Sequence, residues 1–181
     1  RPARSQAGRA VNDRAGDALI LRDVTLADLD VLAAMEAELF AGEAWSRDLV
    51  REEITGKHRR YFALEDPSTG QLAGYAGLLA VGTEGDVQTI AVAPEYRGQG
   101  AGRRLMHALL AVAQESGVRE LFLEVRADNP VARALYTSLG FTEIGLRPGY
   151  YQPGAIDAVV MRLSPLPQRK SAHTNTEREG R

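Results

Sequence analysis

The feature that most constrains this chain is a run of three glycines at alternate positions, Arg97-Gly98-Gln99-Gly100-Ala101-Gly102. It follows a strand-like segment, 87–92 (VQTIAV). It precedes an amphipathic segment, 103–116, with Leu105, Leu109 and Val112 on one face and Gly117 to close it. A second apolar strand, 120–125, comes next. Two strands joined through a helix return parallel to each other, with a right-handed crossover. An all-helical bundle and a purely antiparallel sandwich are thereby excluded.

The flanking segments extend the sheet. Residues 18–24 read as a strand. Thr25 caps a helix to about Phe40, with Leu29, Leu32, Ala33 and Glu36 at helical spacing, and Ser46 caps a shorter helix to about Thr55. Residues 61–65 and 72–81 form a hairpin about Asp66-Pro67-Ser68-Thr69-Gly70. Asn129-Pro130 opens a further helix that stops at Gly140, and 141–146 with 155–163 make the last strand pair. The expected fold class is α/β, a single domain over 18–163 with a mixed central sheet of about seven strands and about four helices. The ends, 1–17 and 164–181, lack hydrophobic periodicity, and each carries four basic against two acidic residues. Both are expected to be disordered basic tails, and the first has no apolar stretch for a signal peptide.

Composition removes several function classes. A hydrophobic share of 44% suits a folded domain. No run approaches the ~18 apolar residues of a spanning helix, so no membrane is expected. With no cysteine there is no disulfide scaffold, thiolate zinc site or acyl-cysteine intermediate, and a reducing cytoplasm fits. His58, His107 and His173 lie far apart, and no metal is expected. Between the tails the charge is net negative, with Glu43, Glu84 and Asp86 placed in loops, which suits an amine-bearing substrate. The tails carry too little charge to argue for nucleic acid.

Glycines leave a loop backbone unshielded, so its N–H groups can converge on an anion beside the N-terminus of the following helix. Arg97, Arg103 and Arg104 add positive charge, and a pyrophosphate is the fitting ligand. A dinucleotide loop needs G-x-G-x-x-G, but position 103 is Arg, although Glu124 supplies an acid about 20 residues on. A Walker loop fails for want of Gly-Lys-Ser/Thr.

The segment 97–102 resembles the Q/R-x-x-G-x-G/A motif of the GNAT N-acetyltransferases. Leu123-Glu124-Val125-Arg126-Ala127-Asp128-Asn129, then Ala132, Ala134-Leu135-Tyr136 and Leu139-Gly140-Phe141, extend the likeness. Arg147-Pro148-Gly149-Tyr150-Tyr151, Asp157-Ala158 and the earlier Glu36, Phe40 and Trp45-Ser46 resemble the branch that acetylates the N-terminal alanine of ribosomal proteins. Ala44 and Ile156 depart from that branch on the substrate side, where proline and an acid are common. The resemblance implies acetyl-CoA as co-substrate and a splayed parallel pair in mid-sheet. It places the pantetheine along the backbone of Ile90, Ala91 and Val92, with Asn129 and Tyr136 nearby. The pyrophosphate falls to Arg97, Gly98, Gln99, Gly100, Ala101, Gly102 and Arg103.

A peptide α-amino group has a pKa of about 7.7–8.0, so a modest base suffices to neutralise it. Glu124 stands in an apolar run, where a carboxylate is costly unless used or paired. Burial would raise its pKa toward a useful base acting through water; pairing with Arg126 or Arg147 is the structural alternative. The resemblance makes Tyr136 the acid for the leaving thiolate, against a plain packing role. The Val92 N–H would hold the oxyanion, and without cysteine the amine attacks directly in a ternary complex. The same likeness sets Tyr150 and Tyr151, in the loop between the last two strands, over an incoming protein N-terminus. Trp45 is expected to pack, and a monomer is favoured. Transfer to lysine or a small amine, a CoA-holding module without turnover, and a nicotinamide oxidoreductase stay open as alternatives.

Overall fold

Antiparallel hairpins build the first half of the sheet. The computed structural model describes residues 18–167. In it β1 (Ile20–Asp23), β2 (Arg59–Glu65), β3 (Leu72–Val81) and β4 (Glu84–Val92) run as antiparallel neighbours. The β2–β3 turn forms because Asp66 Oδ1 accepts from Ser68 N–H (2.8 Å) and Oγ (2.6 Å), and Gly70 adopts φ +72°. β4 then pairs in parallel with β5 (Glu120–Arg126). β6 (Thr142–Tyr151) and β7 (Ile156–Leu163) complete seven strands in the order β1-β2-β3-β4-β5-β7-β6.

Helices cover both faces. α1 (Leu29–Phe40) and α2 (Arg47–Thr55) pack Leu29, Leu32 and Val50 on Ala63, Leu72, Tyr75 and Ala91. α3 (Ala101–Glu115) and α4 (Pro130–Ser138) lie on the opposite face, where Leu105, Met106, Leu109 and Tyr136 meet Leu121, Leu123 and Val125. The starts of α2 and α4 are capped as the sequence predicts. Ser46 Oγ accepts from Leu49 N–H (3.2 Å), and Asn129 Oδ1 from Ala132 N–H (3.1 Å). The Thr25 start proceeds through a 3₁₀ turn, Leu26–Asp28, whose Asp28 carboxylate accepts from Thr25 N–H (2.8 Å) and from Arg22 (2.8 and 2.9 Å). The α/β class, seven strands and four α-helices among the described residues agree with expectation.

Three placements differ. Glu84 and Asp86 are strand residues rather than loop residues, because β4 begins early enough to pair Glu84, Gly85 and Asp86 with Glu120, Leu121 and Phe122. Glycine permits that approach, since a Cβ on Gly85 would stand 2.9 Å from Leu121 Cδ1. Tyr150 and Tyr151 end β6 instead of lying in a loop, Tyr151 opposite Ile156 after a register break. The tail expected from 164 is ordered over its first four residues. Leu166 is buried and donates its N–H to Arg119 O (2.7 Å), and Ser164 Oγ reaches Glu120 (2.9 Å). The rest of that tail, and 1–17, lie outside the described residues.

Candidate active site

The parallel pair closes over three residue pairs and then opens. Nothing in β5 pairs with 87–92 of β4, whose other edge stays registered on β3. Backbone groups alternate sides along a strand. Ala93 N–H bonds Ala73 O (2.9 Å), so Ala91, two residues back, also turns to β3, while Ile90 and Val92 turn into the gap. Ala91 therefore belongs to the gap by position, its backbone committed opposite Tyr75.

At the mouth of the gap the glycine loop is built by backbone sign. Gly98 (φ +71°) and Gly100 (φ +81°) adopt left-handed conformations in open space, so it is the torsion that calls for glycine there. Gly100 is the N-cap of α3 and supplies no side-chain cap, which leaves first-turn N–H groups for an anion. Ala101 and Gly102 are thus the first helical residues rather than loop. Arg97 Nε donates to Val92 O (3.0 Å), Gln99 Nε2 to Glu95 O (3.0 Å) and Arg103 to Ser138 Oγ (2.8 Å). Tyr96 Oη donates to Asp66 (2.9 Å), tying this loop to the β2–β3 turn.

Glu124 and Tyr136 come from opposite faces of the sheet. Leu123 and Val125 point to α3 and α4, so Glu124, by alternation, points to the α1–α2 side. Tyr136 lies on the α3–α4 side, 5% exposed, its ring 6.1 Å from Phe141. Burial pushes its phenol up, with a smaller push from Tyr151, and no described residue hydrogen-bonds its hydroxyl.

Glu124 is half-buried and bonds Arg147 Nη1 at 3.0 Å, one of the two pairings weighed from the sequence. Arg126 instead grips Asp128 (3.0 and 3.1 Å). The two tyrosines stand edge-on at 5.1 Å. Arg147 lies 5.7 Å over the Tyr150 ring, and Arg126 5.5 Å over that of Tyr151. The Glu124 charge beside it raises the Tyr150 phenol. Tyr151 is pushed up to about 12, first by burial, then by Glu124, Tyr150 and Glu43. Both tyrosines therefore stand as hydroxyl donors at neutral pH. Asn129 is exposed with its carbonyl oxygen used in the α4 cap, leaving its amide free of that bond. Trp45 packs against the α1–α2 cluster, as expected.

Sequence reasoning missed the role of Glu36. Glu36 is 3% exposed and accepts from Tyr75 Oη and from Trp45 N–H (3.3 Å), fixing the α1–α2 connector against the sheet beside β4. Its placement at apolar spacing on a helix was the available signal. Glu43, read from the sequence as a loop carboxylate suited to an amine, lies in the 3₁₀ turn Ala41–Glu43 after α1.

Comparison with known proteins agrees with this geometry. Residues 29–141 match the model of the Acetyltransferase (GNAT) family. The N-alpha-acetyltransferase RimI of Mycobacterium tuberculosis is 42% identical over 144 residues, 77% of this chain and 88% of that protein. A Mycobacterium leprae protein is 41% identical over 149 residues, 80% of this chain, and the match spans only 40% of that relative's length. The crystal structure of the ribosomal-protein-S18-alanine N-acetyltransferase from Escherichia coli superposes with a TM-score of 0.74 at 31% identity, covering 86% of this chain and 97% of that one. Among the described residues no helix is long and apolar enough to cross a membrane. With its glycine loop at the N-terminus of α3, its sheet opened between β4 and β5, and these matches, the chain belongs to the GNAT acetyltransferase family.

Proposed function

We propose that this chain transfers the acetyl group of acetyl-CoA to the α-amino group of a protein N-terminus, the terminal alanine of ribosomal protein bS18, by direct attack in a ternary complex. The observation that carries the reading is the opened β4–β5 pair, with Ile90 and Val92 N–H turned into it and Glu124 and Tyr136 on its two sides. The names of the relatives support the substrate. The enzyme works as a monomer in the cytoplasm, without metal or nucleic acid.

The pantetheine arm adds to β4 as a strand along Ile90, Ala91 and Val92, bonding the Ile90 backbone, with Ala91 facing β3 and Asn129 alongside, and it brings the thioester carbonyl to the Val92 N–H. The pyrophosphate sits on the N–H groups of 98–102, with Arg97, Gln99 and Arg103 around it. The amine lone pair attacks the thioester carbon as Glu124, through a water, takes the proton the amine sheds. The carbonyl electrons move to oxygen, which the Val92 N–H holds. The C–S bond then breaks and Tyr136 donates to the departing sulfur. A free thiol has a pKa of about 8.5, below the raised phenol, so Tyr136 acts first as a hydrogen-bond donor as that bond stretches. Tyr150 and Tyr151 cover the peptide backbone.

The test is CoA release from acetyl-CoA with and without a short peptide beginning Ala-Arg. Peptide-dependent release that falls at least about tenfold in Glu124→Gln supports the reading. Release driven by polyamines or lysine side chains, with the N-terminal peptide inert, would move the activity to those amines.

A further inference from the structure

The glycine loop is tied to a distant part of the chain through a single side chain. β4 ends at Val92, and the Ala93 N–H still bonds Ala73 O (2.9 Å). A 3₁₀ turn, Pro94–Tyr96, follows, and α3 then begins with the buried Ala101. Among the described residues, the hydrogen bonds of 94–100 reach no farther than five residues along the chain, except those of the Tyr96 hydroxyl. That hydroxyl donates to Asp66 Oδ2 at 2.9 Å, across 30 residues of sequence. The Tyr96 ring packs against the α3–α4 core cluster.

Asp66 divides its carboxylate between two tasks. Oδ1 accepts from the Ser68 N–H and hydroxyl and builds the β2–β3 turn, whose Gly70 N–H returns to Asp66 O (2.7 Å). Oδ2 is left for Tyr96. The Ser68 bonds and the Tyr96 hydroxyl hold the Asp66 carboxyl below its usual range, so it is an ionised acceptor at neutral pH. The same bond raises the Tyr96 phenol, which stays a donor. The contact is thus a charge-assisted hydrogen bond between a rigid turn and a loop.

The loop has need of that hold. Gly98 and Gly100 stand in open space with left-handed torsions, and glycine loses more freedom than any other residue on being ordered. With Tyr96 fixed, the free span before α3 is 97–100. Without it, the span runs from Pro94. A loop that is already ordered receives an anion without a further ordering cost.

We infer that Asp66 is a positioning residue for acetyl-CoA: through the Tyr96 hydroxyl it holds the glycine loop in the shape that receives the pyrophosphate. This rests on the acetyltransferase reading above. It gives the β2–β3 turn a share in cofactor affinity, exerted only through Tyr96.

The experiment measures Kd for CoA by calorimetry, which needs no acceptor, and then kcat and KM with the Ala-Arg peptide. Tyr96→Phe keeps the ring and removes the donor. Asp66→Ser keeps a turn-forming oxygen on a side chain too short for Tyr96. Both should weaken CoA about three- to tenfold, the contribution of one hydrogen bond, with KM for acetyl-CoA rising in step. The kcat at saturation and the peptide KM should stay at wild type. Asp66→Asn can serve the turn with its oxygen and donate its amide to the Tyr96 hydroxyl, and should stay within about twofold of wild type. S-acetylpantetheine, which carries no pyrophosphate, should lose nothing in Tyr96→Phe. Unchanged CoA affinity in folded Tyr96→Phe or Asp66→Ser, or an equal loss with S-acetylpantetheine, overturns the inference alone. Enzymes that show these CoA differences but leave the peptide unacetylated keep the inference and overturn the acceptor. A wild type that does not bind CoA overturns the parent reading and this one with it.

Discussion

Two sets of acidic and phenolic side chains lie on the α1–α2 side of the sheet, and they differ in what remains unbonded. Under the helices, Glu36 accepts from Tyr75 Oη and Trp45 N–H. Glu53 accepts from Tyr61 Oη (2.6 Å) and pairs with Arg59 (3.0 Å). Every oxygen there is spoken for, and the set binds β2 and β3 to α1 and α2. At the rim, Glu124 has Arg147 at one oxygen, and Glu43 has no hydrogen bond among the described residues. The same pairing of carboxylate and phenol stabilises the fold where its hydrogen-bonding capacity is filled. At the rim that capacity is only partly used within the fold.

The largest effect should come from opening the filled set. Glu36→Ala orphans the Tyr75 hydroxyl and the Trp45 N–H and should cost about 3 kcal/mol in urea denaturation. A loss under 1 kcal/mol would mean that water replaces the carboxylate and the two sets are alike. Next, Glu124→Gln should lower kcat about a hundredfold, equivalent to about 2.7 kcal/mol of barrier. Its urea midpoint should stay near wild type, since the Arg147 pair is partly exposed. If stability fell and kcat did not, Glu124 would belong with Glu36. Tyr136→Phe removes a hydroxyl with no partner among the described residues and should slow turnover about tenfold at constant stability. A destabilised but fully active variant would return Tyr136 to packing alone.

The smallest effect is on pH dependence, and it compares two carboxylates within the filled region. Burial raises Glu36 despite its two hydrogen bonds, so the native state keeps a proton that the unfolded chain has lost. Its contribution to stability therefore declines as pH rises from about 4.3, its unfolded value, through the raised native value. The hydrogen bonds from Arg22 hold Asp28 below the usual range. That contribution is present above about 3.9 and is lost as pH falls through the native value. Urea midpoints measured from pH 3 to 7 should lose the first slope in Glu36→Gln and the second in Asp28→Asn. Unchanged slopes would show that the cation beside Asp28 does not separate the two.

Local chemistry made much of this legible. The caps at Ser46 and Asn129, the turn at Asp66 and the face of α3 depend on neighbours within a few residues, so pattern and spacing determined them. The same holds for the glycine loop ahead of α3, which carried the likeness to the family. What tertiary structure decided involves partners far apart in the chain. It alone set Glu84 and Asp86 into the closed end of the parallel pair, and docked Leu166 on Arg119. It chose Arg147 over Arg126 as the partner of Glu124, and left Glu43 facing an arginine it does not hydrogen-bond. The physical reason is that periodicity tells which way a side chain points, whereas a hydrogen bond across the fold depends on which distant donor arrives first and whether another acceptor already holds it.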